Sequence, residues 1–192
     1  MLILASASTI RAKMLTDAGV AHRVTPANID EDRVKAALHD AAAIATELAK
    51  GKALDVSPAH PEAWVIGSDS VVSVGDRIFA KPRNREEAAD HLRFFSGKPM
   101  TLTSSVALAN GGSVDWSFTD TAVLHVRALS DGFIGSYLDE EWPEVGYCVG
   151  VFRMEARGVQ LFDRVEGSHF TILGMPLIPL LGALRDRGLI PV

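Results

Sequence analysis

This sequence of 192 residues has few of the features that mark disulfide-stabilised or membrane proteins. Cys148 is the only cysteine, so no intrachain disulfide can form and a cysteine-rich metal site is excluded. No uncharged apolar run reaches the roughly 20 residues that span a bilayer, and the N-terminal MLILASAS lacks the basic stretch of a signal peptide. We therefore expect a cytoplasmic protein in a reducing compartment, without a membrane partner.

The sequence also lacks the charge and the glycine pattern of several nucleotide-associated classes. Its formal net charge is −5, which argues against polymeric nucleic acid as a partner, because such binding needs a basic field. A local basic pocket for the phosphates of one nucleotide stays compatible with this charge. The Walker glycine pattern is absent, so the chain is not a P-loop protein, and the six histidines show no metal-ligand spacing.

Hydrophobic periodicity predicts a single α/β domain over residues 1–192, built on a mixed sheet. Predicted strands cover residues 2–5, 20–24, 64–66, 71–72, 77–80, 100–109, 114–126 (as one or two strands) and 158–165. Predicted helices follow the Ser-rich turn at residues 6–9 and cover residues 28–38, 41–54, 85–95, 130–138 and 176–187. Residues 146–156 are predicted as loop or strand. Neither a repeat nor a long linker interrupts the chain.

The most informative stretch of the chain is WVIGSDSVVSVGDRIFAKP, residues 64–82. Its β-branched runs flank Gly75-Asp76 and predict a hairpin. Asp69 lies between apolar runs, where a carboxylate is costly unless it is paired or binds a cation, and the hairpin can bring Lys81 back toward it. This pattern indicates either a metal-assisted site for an anionic substrate or a structural Asp69–Lys81 ion pair.

The N-terminal strand, Ser-rich turn and helix start form a recurring anion-binding arrangement, because free N–H groups and the helix dipole point the same way. Arg11 is oddly placed near the positive end of this helix; either a bound phosphate resolves the conflict or the side chain is simply solvated. Glu31 belongs to an acidic cluster at a predicted helix start, where the dipole alone also accounts for it.

Four blocks of the sequence resemble one family, and together they cover nearly the whole chain in the family's order. They are LILASASTIRAKMLTDAGV, NIDEDRVK with ELAKGKA, VIGSDSVVSVGDRIFAKPRNREEAADHLRFFSGK, and VGVFRMEARGVQLFDRVEGSHFTILGMPLIPLL. The chain is identified as similar to the Maf family of nucleoside triphosphate pyrophosphatases, once named for inhibiting septum formation. The first and third blocks are specific to that family.

The resemblance implies a fold shared with the inosine triphosphate pyrophosphatases: a long mixed sheet flanked by helices, in two lobes with a central cleft. It implies cleavage of a nucleoside triphosphate between the α and β phosphates, with Mg²⁺ or Mn²⁺ as cofactor. Family members often dimerise, so a homodimer is among the expected partners beside the nucleotide itself. The alternative from another class is a nucleotide-binding regulator of cell division with little turnover, and a third is a phosphohydrolase releasing orthophosphate.

The family's functional positions carry over residue by residue. The resemblance makes Asp69 the catalytic base, Lys81 its partner lysine and Glu31 the acidic residue of the second block. Asp69 and Glu31 are then the expected metal ligands. The substrate-binding positions are Ser6, Ser8, Arg11, Lys52, Ser70 and Glu155.

The chain departs from the family pattern mainly at positions linked to specificity. Where the family often has a second arginine after the serine loop, this chain has Ile10, and where Thr or Gln commonly follows the aspartate, it has Ser70. Ser168 replaces a common aspartate, and Met100 replaces a common histidine. Asp69 and Lys81 are retained, so we expect the chemistry to be intact and the substrate identity to be the open question.

Glu155 bears on that question, because a carboxylate can accept hydrogen bonds from the N1–H and N2–H₂ of guanine. The family divides into members preferring pyrimidines and members preferring 7-methyl-GTP, and Glu155 favours the second. The alternative is that Glu155 pairs with Arg153 or Arg157 on the surface.

Overall fold

The computed structural model describes residues 1–191, in which seven strands form one mixed sheet. The strands are β1 (Leu2–Leu4), β2 (Arg23–Val24), β3 (Trp64–Val74), β4 (Arg77–Phe79), β5 (Pro99–Asn110), β6 (Ser113–Val126) and β7 (Phe162–Glu166). Their order is β2-β1-β3-β5-β6-β7, with β4 paired to β3. β1 is parallel to β2 and β3, whereas the β3–β4 and β6–β7 pairs are antiparallel. The predicted α/β fold with a long mixed sheet is confirmed.

Seven α-helices accompany the sheet in the described part of the chain. They are α1 (Thr9–Asp17), α2 (Glu31–Ala37), α3 (Ala41–Val56), α4 (Arg85–Phe95), α5 (Asp131–Glu141), α6 (His169–Ile172) and α7 (Leu177–Asp186). Side-chain oxygens of Ser8, Asp30, Asp40, Asn84 and Ser130 cap the first five, as N-terminal helix positions require. Between residues 1 and 191, no helix is both long and apolar enough to cross a bilayer.

Three sequence predictions need correction. β3 runs through Gly67 without the predicted break. The strand predicted over residues 158–165 is instead a 3₁₀ helix at Arg157–Leu161 followed by β7. The short helix α6 was not predicted, because its four residues are too few to show a helical period.

The chain divides into two compact units. Unit 1 contains residues 1–70, 103–120 and the described residues from 168 onward, and unit 2 contains residues 71–102 and 121–167. Because β3, β5 and β6 are long, each contributes residues to both units.

The sheet of unit 1 is buried on both faces, since alternate residues of β1 enter different clusters. Leu2 and Leu4 pack with residues of α1 and α7, including Leu15 and Leu180. Ile3 packs with a cluster that includes Ala53 of α3. Strands buried on both faces are expected to be continuously apolar, which is how β1 and the start of β3 read.

Gly67 allows α3 to approach β3 at backbone distance. A Cβ placed on Gly67 would lie 2.1 Å from the carbonyl oxygen of Ala49 and 2.7 Å from the amide nitrogen of Ala53. The small side chains of Ala49 and Ala53 complete this contact, and both are fully buried. The contact holds the segment of α3 that contains Lys52 against the segment of β3 that leads to Asp69.

Unit 2 contains the β3–β4 hairpin, α4 and α5. Phe79 of β4 packs edge-on against Phe95 and His91 of α4. Buried Glu141 of α5 accepts two hydrogen bonds from Arg153, at 3.1 and 2.8 Å, so its charge is paired as burial requires.

Gly67→Ala is expected to destabilise the protein by about 3 kcal/mol or more, because the added methyl meets backbone atoms that cannot rotate away. Urea unfolding of the variant measures this loss. Gly182→Ala is the matched control, because no atom lies within 4 Å of a Cβ at that helical position. Equal stability of the two variants would contradict the close contact.

Candidate functional site in unit 1

The candidate site lies where the loop after β1 meets the middle of β3. Leu4 is in register with Ile66, and the Ala5 amide donates a 2.8 Å hydrogen bond to the Ile66 carbonyl. Because β1 and β3 are parallel, the Ser-rich turn leaves the sheet at the level where β3 continues into Ser68 and Asp69. The Ser-rich turn and Asp69, which were both predicted as parts of the site, therefore lie at one edge of unit 1.

Arg11 is held by three acceptors of this unit and is not a freely solvated side chain. Its Nε donates to the Gly174 carbonyl at 2.8 Å, Nη2 to Ser70 Oγ at 3.0 Å and Nη1 to Ser6 Oγ at 3.3 Å. Burial lowers the pKa of Arg11, while the negative charges of Asp69 and Glu31 act in the opposite direction. The guanidinium is therefore fixed in orientation beside two carboxylates.

The carbonyl oxygen of Gly174 is the common acceptor of this arrangement. Besides the bond from Arg11, it accepts hydrogen bonds from Ser68 Oγ at 3.0 Å and Ser70 Oγ at 3.1 Å. Gly174 has a φ of +106°, which lies in a backbone region that favours glycine. A Cβ there would lie 3.2 Å from Ser70 Oγ and 3.5 Å from Arg11 Nη2, so an added methyl group crowds the Ser70 hydroxyl and is in ordinary contact with the arginine.

Hydroxyl groups of β5 and α6 extend the network on the far side of Ser70. Ser104 Oγ lies 2.8 Å from Ser70 Oγ and donates its proton to the Thr171 carbonyl at 2.8 Å. Thr171 Oγ1 in turn donates to Asp120 at 2.5 Å. These bonds connect the segment that contains Gly174 to the central strands of the unit.

Asp69 and Glu31 converge on one ammonium group. Lys52 Nζ lies 2.6 Å from Asp69 Oδ1 and 2.7 Å from Glu31 Oε1, and the side chains of Lys52 and Asp69 are only 12% and 10% exposed. Glu31 Oε2 also pairs with Lys35 at 3.0 Å. Burial by itself would raise the pKa of Glu31, but hydrogen bonds and charge from Lys52 and Lys35 lower it to about 2.

Ser6 and Ser8 shape the turn itself. Ser6 is buried and accepts the amide of Ser8 at 3.2 Å as well as Arg11. Ser8 caps α1 by accepting the Arg11 amide at 3.5 Å. The turn therefore presents a helix N-terminus with a cation beside it, as an anion site requires.

The predicted residues Lys81 and Glu155 belong to unit 2, and both are exposed. The positive charge of Lys81 and the negative charge of Glu155 act in opposite directions on the pKa of Cys148, which burial raises. Arg153 pairs with Glu141, and Arg157 with Glu140. Glu155 also contributes, after Glu141, to the raised pKa of Arg153, so its alternative role as a surface partner of that arginine stays open. The roles of Lys81 and Glu155 stay predictions.

The carboxylates of Asp69 and Glu31 fit a divalent cation. Their oxygens already surround one positive charge, that of Lys52. Two carboxylates completed by waters and substrate phosphates are the usual environment of Mg²⁺. No group of three or more His, Cys, Asp or Glu side chains is arranged for a metal within residues 1–191, so a metal ion held by these two carboxylates would need substrate oxygens or water as its other ligands.

Sequence reasoning missed Gly174 and Ser104. A signal for the second existed: the polar run at residues 103–105 lies in the buried middle of β5, between Leu102 and Val106. The role of Gly174 had no signal, because a backbone carbonyl acts there.

The chain is similar to known proteins over nearly its full length. The family model described as Maf-like protein matches residues 1–187. A protein of Rhizobium etli named 7-methyl-GTP pyrophosphatase is 45% identical, with 98% of this chain and 97% of the relative aligned. A nucleoside triphosphate pyrophosphatase of Sphingopyxis alaskensis is 44% identical over 99% of this chain and 98% of the relative. The Ham1 protein structure of Staphylococcus aureus aligns with a TM-score of 0.47 at 12% identity, covering 65% of this chain and 71% of that one.

Gly174→Ala is expected to weaken binding of inorganic tripolyphosphate about tenfold, because the methyl crowds Ser70 Oγ and the strained backbone shifts the carbonyl that holds Arg11. Calorimetric titration of the folded variant measures the change. Gly188→Ala is the control: it also has a positive φ, of +64°, but no atom lies within 4 Å of its Cβ. Loss of binding in both variants, or in neither, would contradict a specific role of Gly174.

Proposed function

Because the chain belongs to the Maf family, we propose that it is a nucleoside triphosphate pyrophosphatase that releases a nucleoside monophosphate and pyrophosphate. The observation that carries this proposal is the convergence of Arg11, Lys52, Asp69 and Glu31 around the Ser-rich turn of unit 1. Cations at a helix N-terminus suit a triphosphate, and buried carboxylates suit a metal ion and an attacking water. The names of the aligned relatives support the same reaction.

Most of the catalysis is expected to come from positioning and charge neutralisation, since water attacks a phosphorus that carries dense negative charge. Arg11 and the amides of the turn bind phosphate oxygens. The three acceptors of Arg11 hold its guanidinium in one orientation during this binding. Ser6 and Ser8 orient the turn. With Arg11 and Lys52, Lys81 is proposed as a further cation that balances the charge of the triphosphate.

Asp69 is proposed as the group that takes the proton from the attacking water. Its carboxylate is buried, and in the free protein it lies 2.6 Å from the ammonium of Lys52. Asp69 and Glu31 would hold Mg²⁺ or Mn²⁺. That ion, when bound, polarises the phosphate and lowers the pKa of a bound water.

The proposed substrate is a modified purine nucleotide of the 7-methyl-GTP type. Glu155 would accept hydrogen bonds from the N1–H and N2–H₂ of guanine, and the relative in Rhizobium etli is named for this nucleotide. Ser70 would contribute to binding through Arg11, to which it is hydrogen-bonded. A housecleaning role in the cytoplasm, with a homodimer as the assembly, completes the proposal.

Asp69→Asn is expected to reduce kcat/KM for pyrophosphate release by about 100-fold or more, because one key electrostatic group contributes roughly 2.7–4 kcal/mol to a transition state. Pyrophosphate release is measured with Mg²⁺ or Mn²⁺ and with an EDTA control. Near-normal turnover by a folded variant would contradict the role of Asp69.

The same assay separates the competing functions. Orthophosphate as the first product would indicate a phosphohydrolase. Nucleotide binding without turnover in the wild-type protein would favour the regulator of cell division.

Glu155→Gln is expected to lower kcat/KM for 7-methyl-GTP about tenfold or more relative to UTP, because glutamine offers one donor and one acceptor where guanine presents two donors. A panel of canonical and modified triphosphates, tested on both proteins, measures the ratio. Faster hydrolysis of UTP or dTTP than of 7-methyl-GTP by the wild type would end the guanine assignment.

A further inference from the structure

The ammonium of Lys52 lies where a metal ion would bind in unit 1. Its Nζ contacts Asp69 Oδ1 at 2.6 Å and Glu31 Oε1 at 2.7 Å. These are the two carboxylates that fit a divalent cation, so the lysine and the metal compete for the same oxygens. A buried carboxylate without a cation is costly, so Asp69, which is 10% exposed, needs a positive partner when no metal is bound.

We propose that Lys52 is a displaceable substitute for the metal ion, so that metal and triphosphate bind cooperatively. When a divalent cation takes the two carboxylates, the ammonium is released and pairs with phosphate oxygens of the substrate. Without a triphosphate, the released ammonium has no anionic partner, and metal binding is weak. This inference rests on the proposed function for the identity of the anion, but not for the competition itself.

Three features of the site support displacement rather than a permanent structural pair. Lysine is a compact charge on a flexible stem, so its head can move while α3 stays in place. The close contact of α3 with β3 at Gly67 fixes the backbone on both sides of the pair. Lys35 Nζ forms an ion pair with Glu31 Oε2 at 3.0 Å, so one cation remains beside Glu31 when the ammonium of Lys52 leaves.

The first test measures Mn²⁺ binding by calorimetry in the wild type, Lys52→Met and Lys50→Met, without nucleotide. Lys52→Met is expected to bind Mn²⁺ about tenfold more tightly than the wild type, since the competing charge is gone. Lys50→Met is the matched control, because Lys50 is also on α3 but pairs with Glu47 at 3.3 Å. Equal or weaker binding by Lys52→Met would overturn the proposal.

The second arm adds the non-hydrolysable α,β-methylene analogue of GTP. In the wild type the analogue is expected to raise Mn²⁺ affinity by about tenfold or more, within the range of coupling between linked sites. By reciprocity, Mn²⁺ raises the affinity for the analogue by the same factor. The coupling shrinks in Lys52→Met. Independent binding of metal and analogue in the wild type would contradict cooperative loading.

A third measurement needs no variant and therefore does not depend on the folding of Lys52→Met. Lysine acetylation is followed by mass spectrometry in the wild-type protein. Saturating Mn²⁺ alone is expected to increase the modification of Lys52 several-fold, and further addition of the analogue to reduce it, with Lys50 unchanged throughout. Unaltered reactivity of Lys52 under Mn²⁺ would overturn the displacement.

None of these readouts depends on hydrolysis, so failure of the two proposals is distinguishable. Tighter Mn²⁺ binding by Lys52→Met in a protein that releases no pyrophosphate would preserve the competition and refute the enzymatic function. Normal pyrophosphatase activity of the wild type, together with an Mn²⁺ affinity that Lys52→Met leaves unchanged, would support the enzymatic function and refute the competition.

Discussion

The contact of Lys52 with both Asp69 and Glu31 is the interaction on which the candidate site depends. Side chains of Lys52 and Asp69 are almost fully withdrawn from water, and the cost of burying such charges is recovered only with a close partner. The pair forms because β3 and α3 touch through Gly67, Ala49 and Ala53. A requirement for small residues in the packing of a helix on a sheet thus determines the electrostatics of the site.

The orientation of Arg11 depends on a second constraint, which is the backbone conformation at Gly174. A cation near a helix N-terminus is unfavourable by itself, and here three oxygen acceptors and two nearby carboxylates offset that cost. The carbonyl of Gly174 is available to Arg11, Ser68 and Ser70 because the residue adopts a φ of +106°. The guanidinium is therefore positioned before any phosphate arrives, which is what electrostatic preorganisation requires.

Much of the architecture followed from local sequence signals. The bounds of α4 agree with its amphipathic period, the Ser-rich turn at residues 6–9 predicted the start of α1, and Ser130 predicted the start of α5. The resemblance to the Maf family assigned nine site residues. Seven of them, including Ser70, lie in the network of unit 1. Predictions failed where the pattern was short or ambiguous, as for α6, or where a glycine was interpreted as a strand break, as at Gly67.

The sequence by itself determined most of the elements, the absence of an intrachain disulfide and the family, because these depend on residue type, spacing and similarity. Only the tertiary structure decided that Lys52 is the cation between Asp69 and Glu31, and that a carbonyl 163 residues away from Arg11 orients it. The physical reason is that both facts concern distances between segments remote in the chain. Such distances are set by packing, and a backbone carbonyl has no signature in the sequence.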